Sequence, residues 1–344
     1  MEEIKTLSQV KRLKLEHDRP LFSAYHDEIA AGLTTDIYFI KTMDILNHMG
    51  IASKEVVAEI FPRKSGMMCG TQEVLNLLKN KAVEIDAIPE GETFEAMDTV
   101  MRIKGPYREF GIYETVILGM MAHSSAWATA AWKCRQAVED KVFICFGARH
   151  VHPAVAPVME RAAIIGGANN ASCILAAKRL GRNPSGTIPH AAMIVAGQTI
   201  SVAKVYDEIM PPDSPRIILV DTFRDEVEET LALAEALGSA LEGVRLDTPS
   251  ERGGVTPGLV YELRKRLDQK GYEHIKIFVS GGLCPDRIKI LSDAGADAFG
   301  VGSYISGAPP IDMTLDLKMV DGKPIAKRGR IPGIVDNPKL KKMK

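Results

Sequence analysis

Polar residues and glycines follow short apolar segments at regular intervals through the middle of this chain. They are Arg149 and His150, His190, Asp221, Arg245 and Asp247, Gly281 and Gly282, and Gly300 and Gly302. The carboxyl ends of parallel strands meet at one face of a barrel, where its chemistry is usually carried out, so we expect these residues to share that face. Guanidinium groups, carboxylates and glycines together favour a site for an anionic sugar phosphate.

Two glycine turns predict where the phosphate would bind. Ser280-Gly281-Gly282 and Gly300-Val301-Gly302 each end an apolar segment late in the alternating region. Glycine lets backbone N–H groups approach a phosphate closely, and barrels place phosphate sites after their last strands. One such turn would be ordinary, whereas two in succession favour a phosphate site over plain turns.

Asp221 and Asp247 each follow a predicted strand. Their carboxylates could hold ribose hydroxyls or, through water, a magnesium ion, because hard oxygen ligands suit that ion. Each could instead be the N-cap of the following helix. Asp221 fits the N-cap interpretation about as well as the ligand interpretation.

A helix is predicted from Asp36 to Met49, with Thr34 or Thr35 as its N-cap and Gly50 beyond its end. Tyr38 lies in the first turn of this helix. The local sequence favours a packed ring at Tyr38 over a contact with a ligand.

The predicted strand from Val56 to Phe61 leads into a turn that contains Arg63, Lys64 and Gly66. Two cations and a glycine at the end of a strand suit an anion. A solvated turn is an equal alternative, because such loops are common.

The composition indicates a globular protein without a polyanionic partner. The chain has 344 residues, 46% of them hydrophobic and 25% charged, and a net charge of -1. This balance gives no basic surplus for nucleic acid. The five cysteines are scattered and form no Cys-x-x-Cys pair, so we expect neither zinc nor a disulfide framework. Neither a secretory signal nor a membrane-spanning segment is visible, which predicts a cytoplasmic protein.

Strands and helices alternate through the second half of the chain, a pattern that predicts parallel strands with helical crossovers. The predicted strands are residues 142–146, 186–188, 216–220, 244–246, 275–279 and 298–299. They are fewer than the eight strands of a complete barrel, so the predicted fold is α/β with an incomplete parallel α/β barrel.

A hairpin signal lies outside this alternating region. Residues 313–320 and 323–327 flank Asp321-Gly322, and we expect the hairpin to pair with the N-terminal strands. An α/β sandwich domain would then comprise residues 1–112, completed by about residues 312–344, around a barrel domain at residues 113–311. The lysine-rich end from Lys339 is predicted to be a frayed tail.

Six motifs in order along the chain resemble nicotinate phosphoribosyltransferase, most closely its shorter archaeal-type members. They are Thr35-Asp36-Ile37-Tyr38, Phe61-Pro62-Arg63-Lys64, Phe146-Gly147-Ala148-Arg149, Gly186-Thr187-Ile188-Pro189-His190, Val244-Arg245-Leu246-Asp247-Thr248-Pro249-Ser250 and Phe299-Gly300-Val301-Gly302. The resemblance implies a type II phosphoribosyltransferase that makes nicotinate mononucleotide and pyrophosphate from nicotinate and phosphoribosyl pyrophosphate in NAD salvage. It also implies Mg²⁺, and a homodimer or a multiple of it with shared active sites.

The same resemblance implies a role for each matching residue. Tyr38 would stack on the pyridine ring, with Asp36 beside it, and Arg149 would bind the nicotinate carboxylate. The other implied contacts are Arg245 and Asp247 at the ribose and pyrophosphate, Arg63 and Lys64 at the pyrophosphate, Thr187 at the substrate, and Ser280, Gly281, Gly282, Gly300 and Gly302 at the 5-phosphate.

His190 resembles the family histidine that ATP phosphorylates, so ATP is expected as a co-substrate and a phosphohistidine as an intermediate. A neutral imidazole is a competent phosphoryl acceptor near neutral pH. The stretch Thr248-Pro249-Ser250-Glu251 departs from the Ser-Gly-Asp of longer members, which places the ATP coupling in doubt. The C-terminus lacks the cysteine pairs of the zinc-binding tail that some relatives carry.

Three alternatives remain open. Quinolinate phosphoribosyltransferase shares the fold but must bind a second carboxylate and release carbon dioxide, for which we expect more barrel cations than Arg149 and Arg245. A catalytically silent relative would bind pyridine nucleotides without turnover. An aldolase is the least favoured, because no lysine stands at a predicted strand end where a Schiff base would form.

Overall fold

The computed structural model describes residues 2–14 and 21–344 of the chain. Contacts divide the chain into two compact units, Met1–Thr129 with Pro309–Lys344 (unit 1) and Ala130–Ala308 (unit 2). The domain limits expected from the sequence stay a prediction, because compact packing alone does not establish independent folding. No helix in the described ranges combines the length and the apolar character needed to span a bilayer.

The described residues form helices and strands in alternation. The helices are α1 (Leu7–Arg12), α2 (His26–Ala30), α3 (Ile37–His48), α4 (Thr71–Leu77), α5 (Tyr107–Phe110), α6 (Glu114–Val138), α7 (Ala156–Ile165), α8 (Ile174–Arg179), α9 (His190–Ala196), α10 (Thr199–Ile209), α11 (Glu226–Leu237), α12 (Pro257–Gln269), α13 (Pro285–Asp293) and α14 (Ser303–Ser306). The strands are β1 (Glu55–Pro62), β2 (Gly66–Met67), β3 (Glu84–Ala87), β4 (Thr93–Phe94), β5 (Met101–Pro106), β6 (Val142–Cys145), β7 (Asn170–Ala171), β8 (Ile217–Leu219), β9 (Gly243–Leu246), β10 (Lys276–Ser280), β11 (Ala298–Val301), β12 (Met313–Val320), β13 (Lys323–Pro324) and β14 (Lys341–Lys342).

Unit 1 is built on an antiparallel sheet with the strand order β13-β12-β1-β5-β3-β14. Strand β1 lies near its centre, pairs with both β12 and β5, and is buried from Val56 onward. The turn between β12 and β13 contains Asp321 and Gly322, both with positive φ, which is the backbone that an Asp-Gly hairpin turn requires. The predicted pairing of the C-terminal hairpin with an N-terminal strand is therefore confirmed.

The lysine-rich end is ordered rather than frayed, so that prediction is wrong. Strand β14 pairs antiparallel with β3, and the ammonium group of Lys344 donates to the carbonyl oxygens of Leu78, at 2.7 Å, and Lys81. The edge of β3 offers backbone hydrogen-bond partners to the tail, and these partners could not be inferred from the charge of the tail.

Unit 2 contains a six-stranded parallel sheet with the order β7-β6-β11-β10-β9-β8. Its central strands are almost wholly apolar and carry buried side chains such as Phe143, Val244, Ile277 and Phe299. This pattern is typical of parallel strands that helices cover. The predicted α/β fold, with a parallel sheet and an antiparallel sheet, is confirmed, and β7 and β8 are the two edges that an incomplete barrel leaves.

Several local predictions around His190 are wrong. Residues 182–189 are irregular rather than a strand, and His190 begins α9 instead of ending a strand. The edge strand of the sheet is β7, which precedes this irregular segment. Prolines at positions 184 and 189 interrupt backbone pairing in this segment, because proline has no N–H to donate.

Two helix caps bear on the expectations from the sequence. The carboxylate of Asp225 caps α11 by accepting from the N–H groups of Val227, at 2.9 Å, and Glu228, at 3.2 Å, so Asp221 is not an N-cap. At α3 the N-cap position belongs to Asp36 and not to the predicted Thr34 or Thr35.

Candidate active site

Arg245, in β9, is the centre of a hydrogen-bonded cluster in unit 2. Its Nε donates to Ser280 Oγ at 2.8 Å, Nη1 to Thr187 Oγ1 at 2.8 Å, and Nη2 to Asp247 Oδ2 at 3.2 Å. The guanidinium carbon also lies 5.1 Å from the centre of the Phe146 ring. With its donors divided among three partners and one face on an aromatic ring, the guanidinium has a fixed orientation.

Ser280 joins the end of β10 to Asp247. Its hydroxyl donates to Asp247 Oδ1 at 2.7 Å while accepting from Arg245. Gly281 follows with φ +90°, and a Cβ there would lie 3.2 Å from Asp247 Oδ1. A side chain at Gly281 would therefore combine backbone strain with crowding of the Asp247 carboxylate.

His190 lies close to two carboxylates. Its Nδ1 lies 3.0 Å from Thr222 Oγ1, and its Nε2 lies 3.6 Å from Asp221 Oδ2 and 3.9 Å from Asp247 Oδ2. The Asp221 side chain is fully buried, and neither of its oxygens has a hydrogen-bond partner among the described residues. Burial raises the pKa of Asp221, and the neighbouring His190 opposes that rise.

Arg149 lies in the turn that follows β6 and is exposed to solvent. Its Nε lies 3.4 Å from His150 Nε2, and His150 Nδ1 lies 3.2 Å from Ser306 Oγ. Burial and the positive charge of Arg149 lower the pKa of His150. This turn therefore presents one permanent cation and one titratable ring.

Two buried glutamates that the sequence did not single out hold the loops of this site. Glu160, on α7, accepts hydrogen bonds from the Arg149 turn and from the start of α8. Glu226, on α11, accepts from Thr248 Oγ1 at 2.8 Å and from Arg252 Nη1 at 3.1 Å in the loop after Asp247. The available signal was an acidic residue on an otherwise apolar helix face, which favours a buried role.

The four predicted phosphate glycines differ in their surroundings. Gly281 and Gly282 are exposed with φ +90° and +60°, and no atom lies within 4 Å of a Cβ placed at Gly282. A Cβ at Gly300 would overlap the Phe146 ring, and one at Gly302 would lie 2.9 Å from His150 Cε1. At Gly300 and Gly302 neighbouring side chains leave no space for a Cβ, so packing accounts for glycine at these two positions. The backbone at Gly281 and Gly282 is exposed, as a phosphate site requires.

Four predicted site residues lie in unit 1. Asp36 accepts from Thr115 Oγ1 at 3.0 Å, and Tyr38 is 55% exposed with its ring centre 4.2 Å from that of Phe39. The predicted roles of Asp36 and Tyr38 at a substrate stay predictions.

Arg63 and Lys64, the other two, are exposed in the turn after β1. The Arg63 guanidinium lies 5.5 Å from the centre of the Phe61 ring, and its backbone N–H donates to the Asp312 carbonyl oxygen at 2.8 Å. Their contact with a pyrophosphate also stays a prediction.

The described ranges hold no group of three or more His, Cys, Asp or Glu side chains placed to bind a metal ion unaided. The Asp221 carboxylate, which accepts no hydrogen bond among the described residues, is nevertheless a hard oxygen ligand that fits Mg²⁺. A magnesium ion at Asp221 would need the oxygens of a phosphorylated substrate to complete its coordination.

Two family models cover most of the chain. The N-terminal domain of quinolinate phosphoribosyl transferase matches residues 36–125, and its C-terminal domain matches residues 127–316. The chain belongs to the quinolinate phosphoribosyl transferase family. The strand-end cluster of unit 2 lies within the second matched range.

Solved and curated proteins resemble this quinolinate phosphoribosyl transferase family member along most of its length. A nicotinate-nucleotide pyrophosphorylase structure from Pyrococcus furiosus has a TM-score of 0.88 and 44% identity, covering 92% of this chain and 82% of that one. A nicotinate phosphoribosyltransferase of Mycobacterium tuberculosis is 28% identical, over 87% of this chain and 75% of its own. A probable nicotinate-nucleotide pyrophosphorylase (carboxylating) of Methanothermobacter thermautotrophicus is 21% identical, over 76% and 88%.

These findings correct the sequence-based assignment to nicotinate phosphoribosyltransferase, which is wrong. Nicotinate and ATP as substrates, and a phosphohistidine at His190, depended on that assignment and are withdrawn with it, since the quinolinate phosphoribosyl transferase family has no ATP requirement. The physical reason for the error is that the matched motifs describe a phosphoribosyl site on a shared fold. None of them reports how many carboxylates the pyridine substrate carries.

Proposed function

We propose that this chain transfers the phosphoribosyl group of phosphoribosyl pyrophosphate to quinolinate, forming nicotinate mononucleotide, pyrophosphate and carbon dioxide. The match of both family domains carries this proposal. The relatives from Pyrococcus furiosus and Methanothermobacter thermautotrophicus are named as a nicotinate-nucleotide pyrophosphorylase and a probable one, which supports it.

The charges of unit 2 suit the first chemical step. The pyridine nitrogen forms a bond to the anomeric carbon as the bond from that carbon to pyrophosphate breaks, and positive charge develops on the ribose. Asp221 and Asp247 both place a carboxylate within 4 Å of His190 Nε2. Fixed negative charge in a partly desolvated site stabilises a cationic centre.

Mg²⁺ bound to the substrate phosphates would supply charge neutralisation for the pyrophosphate leaving group. Asp221 and Asp247 are the residues of this chain that would hold it. Gly281 and Gly282, with their open backbone, would accept the 5-phosphate.

Decarboxylation follows from the new bond. Once the pyridine nitrogen carries the ribose, its positive charge withdraws electrons from the adjacent ring carbon. The bond to the carboxylate at that carbon breaks, carbon dioxide leaves, and a proton takes its place. Arg149, His150 and Arg245 are the cationic or titratable groups of unit 2 that would bind the two carboxylates.

The test is an assay with quinolinate, phosphoribosyl pyrophosphate and Mg²⁺, in which nicotinate mononucleotide and carbon dioxide are measured together. We expect equal amounts of the two products and no change in rate when ATP is added. A parallel assay replaces quinolinate with nicotinate. Turnover of nicotinate without turnover of quinolinate would overturn the proposal, as would binding of either acid without product.

A further inference from the structure

Glu160 is a fully buried carboxylate that joins two separate segments of unit 2. Its Oε1 accepts from the backbone N–H of Ala148 at 3.2 Å and from Ser172 Oγ at 2.8 Å. Its Oε2 accepts from the backbone N–H of Cys173 at 2.6 Å. Ala148 directly precedes Arg149, and Cys173 is the N-cap residue of α8.

Loss of the hydrogen bonds that Glu160 accepts would destabilise the folded protein. A buried carboxylate is tolerated only when donors surround it, and its donors would in turn be buried without partners if it were removed. Glu160 therefore fixes the distance between the turn after β6 and the start of α8 more firmly than a neutral acceptor could.

The neighbouring residue on α7 holds the same turn by packing. A Cβ at Gly147 would lie only 2.7 Å from Met159 Cε, so the backbone at Gly147 rests against this methionine. Arg149 itself is exposed, and among the described residues its side chain makes one hydrogen bond, the 3.4 Å contact with His150. The position of the Arg149 guanidinium is thus set mainly by the backbone that α7 holds.

We propose that Glu160 is a positioning residue for recognition of the acid substrate, which it aids by holding the Arg149 turn against the start of α8. This inference rests on the proposed function, in which Arg149 binds a substrate carboxylate. Glu160 does not touch the substrate.

The first test is Glu160→Gln, which keeps the shape of the side chain but turns one accepting oxygen into a donor. One of the three bonds must then break. We expect KM for quinolinate to rise about 10-fold, as loss of a charge-assisted hydrogen bond predicts, with KM for phosphoribosyl pyrophosphate unchanged. Asp297→Asn is the matched control, because Asp297 also accepts a backbone N–H, that of Ile277 at 2.8 Å, but at the amino end of the sheet.

Coupling to Arg149 is tested by a double-mutant cycle. If Glu160 acts through Arg149, then Glu160→Gln should raise KM for quinolinate no further in an Arg149→Ala background. Ser172→Ala, which removes a single bond to Glu160, should give a smaller rise and guards against a variant that fails to fold.

The outcomes are distinguishable. If the wild-type protein does not turn over quinolinate, the proposed function fails. If the wild-type protein is active and Glu160→Gln leaves KM for quinolinate unchanged, or raises it equally with and without Arg149, the positioning role is wrong. The same is true if Asp297→Asn raises that KM as much as Glu160→Gln.

Discussion

The Asp221 carboxylate is buried beside His190 with no hydrogen-bond donor of its own among the described residues. An ionised carboxylate in that position is costly unless a cation approaches it, which is why its pKa is raised. The Asp221 carboxylate is therefore placed to stabilise a positive charge that develops in the reaction or is carried by a metal ion.

Asp221→Asn should lower kcat by about 100-fold, because the amide keeps the shape but removes the negative charge from the site. Since only the ionised form of Asp221 supports the reaction, the wild-type rate should fall as pH drops through the raised pKa. The variant should lose that acidic limb. Steady-state pH profiles of both proteins measure this difference.

Asp225→Asn is the control for this prediction. Asp225 lies four residues further along and caps α11, a role that asparagine also performs well. An unchanged acidic limb in Asp221→Asn, or an equal loss of kcat in both variants, would contradict the assignment.

Glu114, at the first position of α6, is another acid whose pKa is raised. Burial, with Asp316 nearby, raises its pKa from 4.5 to about 7. The unfolded chain ionises this group at lower pH than the folded protein does, so its ionisation weakens folding as pH rises above the unfolded value.

Glu114→Gln should consequently stabilise the protein near pH 8, and the gain should shrink towards zero at a pH of about 4.5 or below. Thermal melting of wild type and variant at several pH values measures the gain. A gain that is independent of pH would mean that the effect comes from packing and not from ionisation.

At the scale of single elements, Arg216 closes the end of α10. Its guanidinium donates to Asp207 Oδ1 at 3.0 Å and to the carbonyl oxygens of Pro211 at 2.7 Å and Met210 at 3.1 Å, among others. The residue is 9% exposed. Cations at a helix C-terminus satisfy carbonyl groups that have no partner within the helix.

Arg216→Met should lower the free energy of unfolding by about 3 kcal/mol, because it leaves Asp207 and several carbonyl groups unpaired. Urea denaturation measures this value. The steady-state constants of the folded variant should stay near wild type, since Arg216 precedes β8 and lies away from the carboxyl ends. A loss below about 0.5 kcal/mol would show that water replaces the guanidinium.

Elements with strong local signals were predictable. A threonine followed by proline is typical of a helix start, and α12 begins in this way, with Thr256 Oγ1 accepting from the N–H of Leu259 at 3.2 Å. The segment before His190 was not predictable, because a short apolar run next to proline fits a strand as well as a loop. Its structure depends on side chains distant in sequence, such as Arg245, which donates to Thr187.

The site was predictable where it lies at strand ends and unpredictable where it depends on tertiary contacts. Arg245 and Asp247 follow from the alternating pattern, and they do cluster with Ser280. An acidic residue on an apolar helix face indicated that Glu160 is buried, but the loops that it holds could not be read from the chain, because its partners Ala148 and Cys173 lie outside α7. The motifs could likewise not distinguish quinolinate from nicotinate as the substrate.

At the scale of the whole molecule, the C-terminal segment is integral to unit 1. Asn337 Nδ2 donates to the Thr99 carbonyl oxygen at 2.9 Å, and Lys339 Nζ donates to that of Thr93 at 2.9 Å. Strand β14 then adds the final strand at the β3 edge.

Removal of residues 337–344 should lower Tm by about 3–6 °C, because these bonds and one strand pairing are lost together. Differential scanning calorimetry measures the change. Lys342→Ala, which keeps the backbone pairing, is the control and should shift Tm by less than about 1 °C. An unchanged Tm after truncation would show that β14 contributes nothing to stability.

The pairing of β1 with β12 constrains how a nascent chain can fold. All of unit 2 lies between these strands, so the ribosome releases residues 130–308 before β12 exists. The parallel sheet of unit 2 can form before β12 is synthesised, and until then one edge of β1 has no strand to pair with. Long-range strand pairing of this kind forms slowly, and an unpaired apolar strand edge promotes aggregation. We therefore expect the yield on expression to depend on chaperone supply, and to depend on it more strongly than the stability of the folded protein alone predicts.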